Sequence, residues 1–275
     1  MTLGDTEFTA EQLAAIPAAF DSATNWPKCA DMINDIRDQS NCGCCWAFGA
    51  AEAASDRLCI STNGALTIPL STQELCFCSS ADGCNGGDLN TPWNYIQRTG
   101  LVSGDGQGNG TYDADGFCSA FSLPHCHHHG PQGNDPYPDE GSAGCPTESS
   151  PKCPKACDST SKAPHNVLAS DKYTFTGKVS VFTNVAAIQT SIMTDGPVEA
   201  AFSVYAGVYL FVLLVCNTYY LISKAALCYA NQLIKLVTGH NIGIIYFYYE
   251  SGCYHYYIFP IYLYAYTMFL CSSLL

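Results

Sequence analysis

The pattern of hydrophobic and polar positions predicts helices in the first part of the chain. Residues 46–54 form an alanine-rich run with strong helix propensity. Residues 9–13 resemble a short helix start, and residues 188–193 form an amphipathic run. Residues 71–75 open another short helix, because a serine and a glutamate stand there at the spacing of a capping box. The helix at 46–54 is the strongest of these predictions.

Two segments depart from this pattern. Residues 104–170 are rich in Gly, Pro, Ser and Asp, and loops of this length are usually functional or disordered. Residues 206–275 are dominated by Tyr, Ile, Leu and Phe, and their only charged side chains are Lys224, Lys235 and Glu250. The uncharged run 202–223 is long enough to span a bilayer, so a membrane hairpin is one interpretation of the tail. Its polar residues and many tyrosines disfavour that interpretation.

Composition narrows the class of protein. The chain has 275 residues, enough for one large domain or two lobes that share a cleft. Its net charge of −13 argues against nucleic-acid binding, because few side chains could neutralise phosphates. The 17 cysteines, most of them between residues 29 and 157, indicate disulfides formed in an oxidising compartment. A zinc site is the alternative, but the paired C-x₂-C knuckles of zinc ribbons are absent, so neither a metal nor an organic cofactor is predicted.

A candidate nucleophile lies directly before the predicted helix. Residues 39–48 read QSNCGCCWAF, a turn of small uncharged residues that leads into the helix. A cysteine on the first helical turn lies near the positive end of the helix dipole and near backbone N–H groups that have no helical partner. Both features favour the thiolate, which is the nucleophilic form. Cys45 is therefore the predicted nucleophile.

These residues resemble the C-G-[SA]-C-[WY] signature around the nucleophile of papain and the cathepsins. Residues 25–29, NWPKC, and residues 55–60, SDRLCI, narrow the resemblance to the cathepsin B branch of the papain-like cysteine peptidases. The resemblance extends from residue 16 to residue 205. It implies a papain-like α+β fold with a helical left lobe and an antiparallel β right lobe, the latter incomplete or altered here. An extended peptide would bind in the cleft between the lobes.

The resemblance also assigns roles close to Cys45. The side-chain amide of Gln39, with the backbone N–H of Cys45, would form the oxyanion hole, where donors that are already in position contribute several kcal/mol. The alternative for Gln39 is an exposed loop glutamine. Gly86 and Gly87 would line the cleft and bind the substrate backbone, because a missing Cβ permits close approach. Their alternative is a plain turn.

The long insertion, residues 104–170, resembles the occluding loop of cathepsin B. There His128 and His129 match the pair that receives the C-terminal carboxylate of a substrate, which adds removal of C-terminal dipeptides to endopeptidase activity. Two imidazoles would lose the charge that holds a carboxylate as the pH rises through the histidine range. Metal binding and a solvated loop are the alternatives for residues 126–129.

The resemblance further implies a set of disulfides. The implied pairs are Cys29 with Cys59, Cys42 with Cys84, Cys118 with Cys157, and Cys126 with Cys145. Cys153 would pair with Cys76 or Cys78. Cys44 stands where the family has serine and is either a spare buried thiol or a redox brake that bonds to a neighbouring cysteine.

The catalytic base falls in the divergent tail. His240 resembles the family histidine in its local context, and His255 is a weaker candidate. At the spacing of the asparagine that orients the base stands Pro260, which has no amide side chain. The alternative is a decayed or unrelated tail, produced by a frameshift, a retained intron or a pseudogene.

The sequence therefore predicts a cysteine endopeptidase of cathepsin B type, with C-terminal dipeptide removal, or else an inactive or frameshifted homologue that binds peptides or inhibitors without turnover. Residues 1–15 would be a propeptide remnant, 16–205 the peptidase region and 206–275 the divergent tail. The expected partners are peptide and protein substrates and cystatin-like inhibitors, with no nucleic acid and a monomeric state. The expected location is lysosomal, endosomal or secreted. The first residues carry no signal peptide, which suggests an incomplete N-terminus.

Overall fold

Helices dominate the part of the chain that the structure, a computed structural model, describes: residues 2–3, 7–104, 116–124 and 148–201. The predicted Cys126, His128, His129, Cys145 and His240 lie outside these residues, as does the tail from residue 202 onwards. The described elements, in order, are β1 (Thr2–Leu3), α1 (Ala10–Ala14), α2 (Ser22–Asn25), a 3₁₀ turn (Pro27–Cys29), α3 (Ala30–Ile33), α4 (Cys45–Ser61), α5 (Thr72–Cys78), α6 (Asn90–Thr99), β2 (Ser180–Val181) and α7 (Val185–Asp195).

The central helix is α4, which packs against α3, α5, α6 and α7. Its alanines and the aromatic rings near its start are buried, so neighbouring helices approach it from several sides. The Phe48 ring meets the Phe121 ring edge to face, with centroids 4.8 Å apart. The alanine-rich run at 46–54 lies inside this helix, as predicted, because small side chains both favour the helix and allow close packing around it.

A buried ion pair supports the segment that leads to α4. The Arg37 side chain is 1% exposed, and its Nε donates to Asp35 Oδ2 at 2.9 Å. Its Nη1 donates to the Leu70 carbonyl oxygen, also at 2.9 Å. Burial raises the pKa of the Asp56 carboxyl well above its usual range, the Glu52 carboxylate adds to this, and the Arg37 charge opposes it. Arg37 thus donates hydrogen bonds to Asp35 and to the Leu70 carbonyl oxygen, and its charge stabilises the ionised form of Asp56 in α4.

The helix caps follow the predictions in part. Thr9 and Gln12 form a reciprocal capping box at the start of α1, where a helix start was predicted. At α5, Ser71 Oγ accepts from the Glu74 amide at 3.0 Å, but the Glu74 carboxylate turns away from the cap. It accepts instead from the Tyr95 hydroxyl and from the Val102 amide. The predicted capping box is therefore half formed, because Glu74 joins α5 to α6 and to the segment after it.

The disulfides tie the loops to the helices. The described residues contain Cys29–Cys59, Cys42–Cys84, Cys78–Cys153 and Cys118–Cys157. Three of these are pairs that the resemblance implied, and Cys153 takes Cys78 rather than Cys76. The fifth implied pair, Cys126 with Cys145, lies outside the described residues. Cys44 is buried, as one of its two interpretations expected.

Strands are short in the described residues. β1 and β2 form a parallel pair in which Thr2 faces Ser180 and Leu3 faces Val181. Isolated β-bridges pair Gly43 with Asn85, Leu70 with Ser103, and Leu101 with Tyr173. The divergent apolar tail, predicted to stand in place of the rest of the β lobe, is outside the described part. None of the helices in the described ranges is long and apolar enough to cross a membrane.

Candidate active site

Cys45 is the first residue of α4, and its side chain is partly exposed, whereas Cys44 and Trp46 on either side are buried. The first turn of the helix is closed by the Ala47 and Phe48 amides, which donate to the Cys44 carbonyl oxygen at 2.9 and 3.1 Å. The thiol of Cys45 therefore stands at a helix N-terminus, where the backbone dipoles favour its thiolate form.

The turn before Cys45 is fastened to the segment that carries Gly86. The Gly43 amide donates to the Cys84 carbonyl oxygen at 2.8 Å, and the Gly86 amide donates to the Gly43 carbonyl oxygen at 3.1 Å. The Cys42–Cys84 disulfide joins the same two segments covalently. A Cβ on residue 43 would lie 2.6 Å from the Cys84 oxygen, so this close approach requires glycine.

The two glycines predicted to line the cleft differ in their surroundings. Gly86 has φ +83°, and a Cβ there would meet nothing within 4 Å among the described residues. A Cβ on Gly87 would lie 2.5 Å from the Trp46 ring, so Gly87 is required for packing. The Trp46 indole is held in turn by its Nε1, which donates to the Gly83 carbonyl oxygen at 3.2 Å. Among the described residues Gly86 therefore faces open space, and the missing side chain of Gly87 leaves room for the Trp46 ring next to the nucleophile.

Gln39 is buried, with 5% of its surface exposed, which excludes the exposed-loop alternative. The next residue, Ser40, has φ +58°, a conformation that non-glycine residues seldom adopt. The Ser40 amide donates to Asp38 Oδ1 at 2.7 Å, which stabilises this turn. The Gln39 Oε1 atom has no hydrogen-bond partner among the described residues. Gln39 is thus fixed on the buried approach to Cys45.

A carboxyl that the sequence did not single out packs against Gly49, which lies one helical turn after Cys45 in α4. Glu199 Oε2 accepts from the Trp93 Nε1 at 2.6 Å. A Cβ on Gly49 would lie 3.3 Å from Glu199 Cγ, which places this side chain against α4. Burial raises the pKa of Glu199 to about 8, the Asp88 charge adds to the rise, and the Trp93 hydrogen bond opposes it. The signal in the sequence was a lone acid in the otherwise uncharged run 196–205.

The histidine that the structure describes within the insertion, His165, has a structural role. His165 Nδ1 lies 2.6 Å from Asp171 Oδ1, and the other oxygen of Asp171 accepts from the Ser103 amide and hydroxyl. This network ties the end of the insertion to the segment after α6. His165 is therefore engaged in structural contacts, and the predicted base, His240, falls outside the described residues.

One cluster among the described residues has the composition of a metal site. The sulfur atoms of Cys42, Cys44 and Cys76 all lie within 4.8 Å of one another. Zinc and other soft metals bind thiolates, but Cys42 is joined to Cys84 in a disulfide and cannot supply one. The cluster in this oxidised form does not fit a metal ion.

Comparison with known proteins identifies the class. Residues 16–218 match the family described as papain family cysteine protease, a match that includes Cys45, Gln39 and the glycine pair. The chain belongs to the papain family of cysteine proteases.

The curated relatives narrow the likeness to the cathepsin B branch. The chain is 43% identical over 193 residues to cathepsin B-like cysteine proteinase 6 of Caenorhabditis elegans, covering 69% of this chain and 47% of the relative. It is 39% identical over 232 residues to a cathepsin B-like cysteine proteinase of Schistosoma japonicum, covering 84% of this chain and 60% of the relative. The chain thus spans about half the length of the curated relatives that it matches.

Among solved structures, procathepsin B S9 from Trypanosoma congolense matches with a TM-score of 0.49 and 26% identity, covering 70% of this chain and 54% of that one. The family match ends at residue 218. The proposed base at His240 therefore lies beyond the matched residues as well as beyond the described ones.

Proposed function

We propose that the protein is a cysteine peptidase of cathepsin B type in which Cys45 is the nucleophile. The observation that carries this proposal is the position of Cys45, partly exposed at the start of α4, beside a turn bonded to the Gly86 segment. Family membership supports it, because the matched residues include this whole half of the site.

The proposed reaction is acyl transfer through a thioester. His240 takes the Cys45 proton, and the thiolate attacks the scissile carbonyl carbon of a bound peptide. The Gln39 side-chain amide and the Cys45 backbone N–H stabilise the negative oxygen of the tetrahedral intermediate. The imidazolium then protonates the leaving amine, and water hydrolyses the thioester and restores the thiol.

Substrate binding is proposed to involve Gly86 and the loop histidines. Gly86, whose missing Cβ leaves open space, would let an extended substrate backbone approach for hydrogen bonding. His128 and His129 would receive a C-terminal carboxylate and so add removal of C-terminal dipeptides. Replacing both by alanine should reduce dipeptide removal while internal cleavage continues. Equal loss of both activities would refute this role.

The second candidate is an inactive homologue that binds peptides or inhibitors without turnover. Pro260 favours it, because proline cannot orient an imidazole as the family asparagine does. Loss of one member of a catalytic triad costs several orders of magnitude in rate. An inactive homologue would bind a peptide aldehyde or a cystatin-like inhibitor but would not release product.

The setting of the enzyme is proposed from the same features. The disulfides favour a lysosomal, endosomal or secreted protein, since such bonds persist in oxidising compartments. Residues 1–15 would belong to a propeptide. Peptide and protein substrates, cystatin-like inhibitors and a monomeric state are the proposed interactions.

The test is hydrolysis of a fluorogenic dipeptide amide by the refolded full chain at mildly acidic pH. Cys45→Ser should lower kcat/KM by about 10³-fold or more. Cys76→Ser, which also replaces a cysteine by serine but at a fully buried position, is the matched control and should retain activity. A refolded wild-type chain without turnover, or a Cys45→Ser variant as active as wild type, would overturn the peptidase proposal.

A further inference from the structure

Three cysteine sulfur atoms lie close together in the buried core next to the start of α4. Cys42, Cys44 and Cys76 are buried, with exposures of 3%, 0% and 0%, and their sulfur atoms lie within 4.8 Å of one another. Cys42 is bonded to Cys84, whereas Cys44 and Cys76 carry thiols in the structure. The described disulfides and the proposed nucleophile account for the other described cysteines. Cys44 and Cys76 are therefore left as a pair that no proposed role uses.

The surrounding structure brings these two thiols together. Cys44 is the N-cap residue of α4, Cys76 lies within α5, and the two helices pack against each other. A Cβ on Gly83 would lie 2.7 Å from the Cys76 sulfur and 2.1 Å from the Cys76 carbonyl oxygen. The missing side chain at Gly83 thus leaves the room that the Cys76 thiol occupies beside Cys44.

We propose that Cys44 and Cys76 are a site of covalent oxidation and form a further disulfide, which ties the N-cap of the nucleophile helix to α5. A disulfide needs its sulfur atoms about 2.0 Å apart, so the bond requires both side chains to move together from the observed separation of at most 4.8 Å. The bond forms while the chain is in the oxidising environment that its other disulfides require.

The oxidant is a low-molecular-weight disulfide such as oxidised glutathione. The thiolate of one cysteine attacks the oxidant, breaks its S–S bond and releases one thiol as a mixed disulfide forms. The second cysteine then attacks the mixed disulfide at the first cysteine's sulfur and releases the other thiol. Two cysteine hydrogens thus pass to the oxidant, which is reduced to two thiols. Because both sulfurs are buried, these steps occur during folding or local opening.

This bond would place a covalent tie on the residue directly before Cys45. The Cys42–Cys84 disulfide already fastens the preceding turn to the Gly86 segment. A Cys44–Cys76 bond would fasten the start of α4 to α5 next to that disulfide. Formation of the Cys44–Cys76 bond does not require peptidase activity, so its test is independent of the proposed function.

The test is a count of thiols in the refolded full chain. The chain is refolded in a glutathione redox buffer, unfolded in the presence of N-ethylmaleimide, and digested with trypsin without reduction. Cleavage after Arg37, Arg57 and Arg98 and after the lysines that flank Cys29 and Cys153 gives four peptides, 29–37, 38–57, 58–98 and 153–155, which the described disulfides hold together. The proposal predicts that Cys45 is the only alkylated residue in this linked species. Alkylation of Cys44 and Cys76 in the wild-type chain would overturn it.

Two reciprocal variants fix the pairing. In Cys76→Ser the newly alkylated residue should be Cys44, and in Cys44→Ser it should be Cys76. Exchange of Cys76 or Cys44 with the Cys42–Cys84 bond would instead expose Cys84 or Cys42 to alkylation, and this result would contradict the proposed pair. Because each variant keeps the described disulfides, both should refold in the same buffer.

Discussion

The Gly43 amide donates a 2.8 Å hydrogen bond to the Cys84 carbonyl oxygen, and a Cβ on Gly43 would lie 2.6 Å from that same oxygen. Gly43→Ala must therefore push the turn before Cys45 away from the segment that carries Gly86. We expect the free energy of unfolding to fall by about 1–3 kcal/mol, the usual cost of overpacking. Thermal or urea unfolding of the refolded chain measures it.

Gly49→Ala is the matched control, because Gly49 lies within the same helix as Cys45. There the added Cβ would lie 3.3 Å from Glu199 Cγ, a milder approach than the 2.6 Å contact with backbone at Gly43, and alanine is the better helix former. Its effect should stay within about 1 kcal/mol. If Gly43→Ala were no more destabilising than this control, the close approach to Cys84 would not be a constraint on the turn.

Gly86→Ala should act on substrate binding more than on folding. Its positive φ makes alanine strained by about 1–2 kcal/mol, but a Cβ would meet no atom of the described residues. If the open space holds a substrate backbone, the variant should raise KM for a peptide substrate several-fold while labelling of Cys45 persists. An unchanged KM would support the plain-turn alternative.

Arg37→Met should be strongly destabilising. It leaves the Asp35 carboxylate and the Leu70 carbonyl oxygen buried without their donor, and it removes the charge that lowers the pKa of Asp56. Breaking a buried ion pair in this way costs about 3–5 kcal/mol. Arg98→Met, at an exposed position in α6, is the control and should change the free energy of unfolding by no more than about 0.5 kcal/mol. Equal effects of the two variants would contradict the supporting role of Arg37.

Glu199 should make the folded chain less stable as the pH rises. Its pKa is about 8 in the folded protein against 4.5 for an ordinary glutamate, so the folded state binds the proton more tightly. The stability that this tighter proton binding gives the folded state is fully present below the ordinary glutamate pKa of 4.5. It is lost as the pH rises through about 8. Glu199→Gln should therefore flatten the dependence of Tm on pH across this window.

Glu11→Gln, at an exposed position in α1, is the control for that measurement and should leave the slope unchanged. A Glu199→Gln variant whose Tm falls with pH as steeply as that of the wild type would show that other groups govern the dependence.

The sequence predicted the part of the site that depends on local pattern. The alanine-rich run and the turn before it located the helix and Cys45, because helix propensity and small turn residues are encoded locally. Glu199 was missed because its raised pKa depends on burial against Gly49 and Trp93, which are distant in sequence. The half-formed cap at Ser71 has a similar cause, since Glu74 has tertiary partners that local spacing does not reveal.

The choice of Cys78 over Cys76 as the partner of Cys153 also depended on tertiary structure. Both cysteines lie in the same short helix, α5, two positions apart, and helical geometry directs their side chains to different sides. The family pattern left both alternatives open. The packing of Cys76 beside Cys44 and Gly83 accounts for its separate position.

The most direct measurement of the central claim is labelling by an epoxide inhibitor that alkylates peptidase thiols. The refolded full chain is treated at mildly acidic pH, digested and mapped by mass spectrometry. We predict one adduct, on Cys45, that is absent from Cys45→Ser and unchanged in Cys76→Ser. A correctly folded wild-type chain that takes up no label on Cys45, or takes it up equally on Cys44, would contradict the assignment of Cys45 as the nucleophile.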